Sequence, residues 1–133
     1  MKRVYVVVAI TVLLVSMVAG VAYAATIVCG TSSDRDSDEV ECRGTDNSDQ
    51  ITERQGNDLD DTIYAEDGSD VVDAAEHRGD QDRVYGGAGN DRLRTDDGDG
   101  QDFINCGKGT NDTAIADPGD NVNKRNCEDV RRV

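Results

Sequence analysis

The sequence contains no tryptophan and only one proline, one phenylalanine and one histidine among its 133 residues. A single histidine excludes the H-E-x-x-H motif of zinc proteases, and the G-x-S-x-G motif of hydrolases is absent. Carboxylates are plentiful, but so little aromatic surface disfavours a sugar-cleaving pair. We therefore expect a protein that is not an enzyme, and we interpret His77 as a solvated loop residue.

Positive charge is also scarce, since 14 Lys and Arg residues face 28 Asp and Glu residues, for a net charge of −14. Nucleic acids and anionic membrane surfaces would repel such a chain, so we expect no nucleic-acid partner. A cation is the natural partner. Low hydrophobicity with high charge is also typical of disordered chains, so an acidic disordered cation buffer is one alternative.

The chain has one long apolar run, residues 4–22, which follows Lys2 and Arg3 and ends in Ala22-Tyr23-Ala24. This pattern predicts a secretory signal over residues 1–24, cut after Ala24. The alternative is an uncleaved membrane anchor that leaves the protein at the cell surface. Either way, we expect residues 25–133 to be extracellular.

Four cysteines in an exported chain indicate two disulfides, for which three pairings are possible. We favour the local pairing, Cys29–Cys42 with Cys106–Cys127, which would staple each end of the domain separately. A zinc site would need clustered C-x-x-C spacing, which is absent.

The unit Asp-x-apolar recurs along the chain, and every second copy has a constant spacing. One series steps by 21 residues throughout, and the other by 21, 20 and 18. A period of about 21 residues predicts one coil of a solenoid, with a short strand and a loop on each of two sides and about four coils in all. The first series is Asp49, Asp70, Asp91 and Asp112, and the second is Asp61, Asp82, Asp102 and Asp120.

The ends of the chain lie outside this repeat. We interpret residues 25–43 as an N-terminal cap or a disulfide-closed loop, residues 44–123 as the repeats and residues 124–133 as a C-terminal cap. An EF-hand beginning at Asp34 is excluded, because Glu39 stands at its glycine position and Thr45 at its glutamate position.

Two aliphatic side chains per coil bury too little apolar surface to offset the ordering of about 21 residues. Stacked coils also bring aspartates into register, where they repel. A divalent cation between the loops would reverse that repulsion, so its binding energy would become folding energy. Carboxylates, carbonyls and asparagine side chains are hard oxygen ligands, and hard ligands in flexible loops favour Ca²⁺ over Mg²⁺.

Residues 86–94, GGAGNDRLR, match every fixed position of the nonapeptide G-G-x-G-x-D-x-U-x, so the chain resembles the RTX, or hemolysin-type, calcium-binding repeats. The resemblance spans about residues 44–123. Other units depart from it: Leu59 stands where a glycine belongs, and Ala65 and Glu66 replace a glycine pair.

The resemblance implies an all-β fold, a short right-handed parallel β-roll. It implies that loop carbonyls and the aspartate of one unit share Ca²⁺ with the next loop on the same side, so Asp91 would share ions with the loops of Asp70 and Asp112. We expect about two to four ions. The implied ligands are Asp49, Asp61, Asp70, Asp82, Asp91, Asp102, Asp112, Gly68, Gly86, Gly87, Gly89 and Asn90.

The predicted function is therefore a secreted, non-catalytic Ca²⁺-binding protein that folds on binding the ion. A second alternative is an extracellular interaction module whose calcium-stabilised faces bind a cell-surface or matrix component. A regular threonine ladder would favour that alternative, but Thr52, Thr62, Thr95 and Thr113 are scattered over both sides.

Overall fold

The computed structural model describes residues 24–29, 39–53, 60–75 and 79–133. The predicted signal segment, the rejected EF-hand loop at Asp34, the departure at Leu59 and His77 lie outside the described residues. No helix in the described ranges is long and apolar enough to cross a membrane.

The described residues form eleven β-strands and no helix, arranged as two parallel sheets. The first sheet has the order β1-β3-β5-β7-β9-β11 and the second β10-β8-β6-β4-β2, so the chain alternates between them. The strands are β1 (Thr26–Val28), β2 (Glu39–Arg43), β3 (Gln50–Thr52), β4 (Asp60–Tyr64), β5 (Val71–Asp73), β6 (Arg83–Tyr85), β7 (Arg92–Arg94), β8 (Phe103–Asn105), β9 (Thr113–Ala116), β10 (Asn121–Val122) and β11 (Asp129–Arg132).

Each coil of the resulting β-solenoid contributes one strand to each sheet. Ile51 pairs with Val72, and Val72 pairs in turn with Leu93, each 21 residues further on. The predicted all-β solenoid of about four turns, with a spacing of about 21 residues, is confirmed.

The strands are short because each inner strand offers a single large apolar side chain to the interior. Leu93 is fully buried, while its neighbours Arg92 and Arg94 are exposed on the outer face, as the two-residue period of a strand requires. The inward side chains of both sheets form one narrow core along the solenoid.

Both ends are closed by disulfides in the favoured local pairing, which is confirmed. Cys29–Cys42 joins the first strands of the two sheets, and Cys106–Cys127 ties the segment after β8 to the segment before β11. The terminal strands extend the sheets, because β1 pairs with β3 and β11 pairs with β9. Two disulfides are typical of an oxidising, extracellular-type environment.

Candidate metal centre

The repeated aspartates form two hydrogen-bonded ladders parallel to the solenoid axis. In each ladder the backbone N–H of one aspartate donates to Oδ1 of the aspartate one coil later, at 2.7–3.1 Å. The ladders therefore carry the repeat spacing into the third dimension. The first ladder consists of Asp49, Asp70, Asp91 and Asp112, and the second of Asp61, Asp82, Asp102 and Asp120.

All eight aspartates are at most 8% exposed, because they point into the solenoid. An aspartate and the apolar residue two positions later lie on the same face of a strand. In the third coil, for example, Asp91 and Leu93 both face inward. The Asp-x-apolar spacing carried this information, but the sequence analysis interpreted the aspartates as loop ligands and missed their burial.

Several of these carboxylates keep one oxygen that has no hydrogen-bond partner in the described part of the chain. This holds for Oδ2 of Asp70, Asp91, Asp102 and Asp112, and for both oxygens of Asp61. A buried charged oxygen without a partner is costly, so these atoms point to a missing positive group or a proton.

Burial raises the pKa of these carboxyl groups, and the neighbouring ladder members raise it further. The pKa is about 6 for Asp91, about 7 for Asp70, about 8 for Asp102 and about 9 for Asp82. The backbone N–H bond that each accepts acts in the opposite direction but does not cancel the loss of solvation.

Loop oxygens converge on the first ladder at the edge that we call the glycine corner, residues 44–49, 65–70, 86–91 and 107–112. A Cβ atom on Gly86 would overlap the carbonyl oxygen of Cys106 and lie 2.5 Å from Oδ2 of Asp91. A Cβ on Gly109 would likewise overlap the Gly89 carbonyl and lie 2.5 Å from Oδ2 of Asp112. Glycine is needed at these positions because a carbonyl of an adjacent coil and the loop's own carboxylate occupy the space beside it.

The remaining backbone groups of the glycine corner bind the loops directly to one another. Ala88 N–H donates to the Glu66 carbonyl at 2.9 Å, and Lys108 N–H to the Gly87 carbonyl at 2.7 Å. Gly68 N–H donates to the Ala88 carbonyl at 2.8 Å. The loops therefore stack closely, and only part of their carbonyl set faces the ladder.

The predicted ligands Gly87, Gly89 and Asn90 all lie in this stack. Gly87 and Gly89 have positive φ angles of 101° and 136°. The Asn90 side-chain oxygen accepts the Thr110 N–H at 3.3 Å, so it contributes to loop stacking.

The opposite edge of the solenoid, between the end of a first-sheet strand and the next second-sheet strand, is richer in carboxylates. We call it the acidic corner. Its three overlapping groups each place one ligand atom from three residues within 4.8 Å of one another. The groups are Glu53, Asp80 and Asp82; Asp80, Asp97 and Asp99; and Asp99, Asp102 and Asp120.

Of the predicted ligands, Asp82 and Asp102 lie in the acidic corner. The second-ladder member Asp61 is in none of these groups of described residues. The sequence analysis did not propose Glu53, Asp80, Asp97, Asp99 or Asp120 as ligands. The signal that could have found four of them is the density of aspartates in the longer loops, which were interpreted as turn material.

Both corners offer a donor set suited to a hard cation. The ligand atoms are carboxylate and carbonyl oxygens, and all four cysteines are in disulfides, so no thiolate is on offer. Oxygen-only sites of this kind suit Ca²⁺, Mg²⁺ and Mn²⁺ rather than the softer transition metals. The structure thus contains acidic groups that could hold a metal ion.

No family model, curated protein or solved structure matches the chain. The functional conclusion therefore depends on the fold and on these donor atoms.

Proposed function

We propose that this protein is a secreted, non-catalytic Ca²⁺-binding solenoid whose coils are joined by the ions that it binds. The observation that carries the proposal is at Gly86, where Oδ2 of Asp91 is buried without a described partner, close to the Cys106 carbonyl. Carboxylate and carbonyl oxygens from two successive coils therefore converge where a cation would link them.

Without a cation, the ladders place ionised aspartates of adjacent coils close to one another in a poorly solvated interior. Asp70 and Asp112 both act on Asp91 in this way, from the coils before and after it. A divalent ion would replace this repulsion by attraction, so we expect folding of the coils to be coupled to ion binding.

Calcium is the ion that these features support best. The loops are glycine-rich and offer backbone carbonyls beside carboxylates, and Ca²⁺ accepts such variable oxygen geometry more readily than Mg²⁺. The nonapeptide at residues 86–94 resembles the RTX repeats, which also supports Ca²⁺. The disulfides and the apolar segment over residues 4–22 support secretion into an environment where this ion is abundant.

The test is a calcium titration of the purified, chelator-treated protein, followed by circular dichroism and isothermal calorimetry. We expect strand content to rise over about 10⁻⁴–10⁻³ M Ca²⁺, the range of many extracellular modules, with Mg²⁺ much less effective. Asp91→Asn should lose an ion, because it keeps the oxygen that accepts Asp70 N–H but removes the charge.

The matched control is Asp129→Asn, which removes the same charge from an exposed aspartate paired with Arg131. This variant should titrate like the unmodified protein. A chain that is fully folded in excess EDTA and binds no Ca²⁺, or one that stays unfolded at millimolar Ca²⁺, would overturn the proposed function.

A further inference from the structure

The C-terminal end of the acidic corner contains three carboxylates from two successive coils. Asp99 and Asp102 belong to the segment between β7 and β8, and Asp120 precedes β10 in the next coil. One oxygen from each lies within 4.8 Å of the others, while Asp102 and Asp120 are only 1% and 6% exposed. Three negative charges are thus held together largely away from water.

An unpartnered buried oxygen at this group independently indicates a ligand. Oδ1 of Asp102 accepts the backbone N–H of Asp82 at 2.9 Å. Its Oδ2 has less than 1 Å² of exposed surface and no hydrogen-bond partner among the described residues. Neutral packing does not explain such an atom, because an ionised oxygen in this position loses its hydration without any replacement.

The other two carboxylates are held in place by backbone and hydroxyl donors. Asp120 Oδ2 accepts the Asp117 N–H at 2.8 Å and the Thr95 hydroxyl at 2.9 Å. Asp99 Oδ2 accepts the Gly79 N–H at 2.7 Å. Neutral donors orient these oxygens without cancelling their charge, and each oxygen retains a lone pair for another ligand.

Cationic side chains do not neutralise the group within the described part of the chain. The nearest described guanidinium contact is that of Arg132 in β11, which donates to the backbone carbonyls of Asp117 and Asp120 rather than to a carboxylate. Arg132 therefore fastens the last strand to the turn that carries Asp120, and leaves the three carboxylates available.

We propose that Asp99, Asp102 and Asp120 bind a second divalent cation, on the edge of the solenoid opposite the Gly86 site. This site differs in kind from the nonapeptide site, because it has three carboxylates in place of one carboxylate with backbone carbonyls. Its higher charge makes it the tighter of the two. Since its ligands come from two coils and Arg132 holds the same turn, the ion fastens the C-terminal strand to the body of the solenoid.

The experiment counts Ca²⁺ ions per chain by native mass spectrometry, with isothermal calorimetry for affinity, on Asp99→Asn and Asp102→Asn. Each variant should bind one ion fewer than the unmodified protein and should lose the tightest phase of the titration. Asp99 is only partly buried, so its variant tests the site even if the substitution at Asp102 disturbs folding.

The matched control is Asp96→Asn in the same loop, since Asp96 pairs with Arg94 on the outer face. It should retain every ion. Asp91→Asn combined with Asp99→Asn should lose two ions, which shows that the sites are separate.

Full ion counts in both Asp99→Asn and Asp102→Asn would overturn this second site. If Asp91→Asn still lost its ion in that case, the proposed function would stand without the second site. If the unmodified protein bound no Ca²⁺, both proposals would be wrong.

Discussion

Oε2 of Glu128 accepts the backbone N–H of Asp112 at 2.8 Å, so a glutamate 16 residues later ends the first aspartate ladder. The bond takes the place of the one that an aspartate 21 residues later would make. The neighbouring disulfide Cys106–Cys127 holds this segment against the last full coil. The solenoid thus ends with its final buried ladder amide satisfied, rather than with an open position.

This termination predicts a difference between two substitutions of Glu128. Glu128→Ala removes the acceptor for Asp112 N–H and should lower the free energy of unfolding by about 1 kcal/mol. Glu128→Gln retains an amide oxygen at the same reach and should remain close to the unmodified protein. Chemical denaturation in saturating Ca²⁺ measures both, and equal stability of the two variants would contradict the role of this bond.

The raised pKa values predict an unusual pH dependence for the chelated protein. The folded-state pKa values lie above the usual value of 3.8, so the folded chain binds more protons than the unfolded chain. Their stabilising contribution is fully present below pH 3.8 and is lost as the pH rises through about 6 for Asp91, about 7 for Asp70 and about 9 for Asp82. Melting temperatures in EDTA should therefore fall between about pH 5 and about pH 9.

Bound Ca²⁺ should flatten or reverse this trend, because the ion favours the ionised carboxylates. Asp91→Asn serves as the control for surface charge, since it removes one buried titrating group and should show a weaker pH dependence in EDTA. A chelated protein that is most stable near pH 9 would refute the assignment of these groups.

Loop stacking at the glycine corner predicts unequal costs for two glycine substitutions. Gly89 and Gly79 both have positive φ angles, 136° and 101°, so alanine strains the backbone at either position by about 1–3 kcal/mol. A Cβ on Gly89 would also overlap the Gly68 carbonyl of the adjacent coil, whereas one on Gly79 meets no described atom within 4 Å. Thermal denaturation should show Gly89→Ala to be clearly less stable than Gly79→Ala, and the reverse order would contradict close loop stacking.

The narrow core predicts a large effect of truncating one aliphatic side chain. Leu93 is 0% exposed, so Leu93→Ala should leave a cavity and cost about 2–5 kcal/mol in urea denaturation of the Ca²⁺-loaded protein. Val71→Ala is the comparison on the adjacent strand, because Val71 is 44% exposed and should lose about 0.5 kcal/mol or less. Similar losses at both positions would mean that the two sheets do not enclose the core as described.

The candidate sites divide clearly into what the sequence predicted and what it did not. The nonapeptide placed Gly86 and Asp91 together in one loop, and the structure adds the Cys106 carbonyl from the next coil. The acidic corner was not predicted, since Asp99 and Asp120 are 21 residues apart but occupy different positions relative to their strands. Loops of unequal length conceal such meetings from any search for a constant period.

The sequence by itself determined the strands, their register and the coil length, because a two-residue side-chain period and a 21-residue repeat are local properties of the chain. Only the tertiary structure decided which oxygens lose water and which carboxylates become neighbours. Desolvation and charge density depend on how loops of different coils stack, and that stacking brings Asp102 to Asp120 and the Cys106 carbonyl to Asp91.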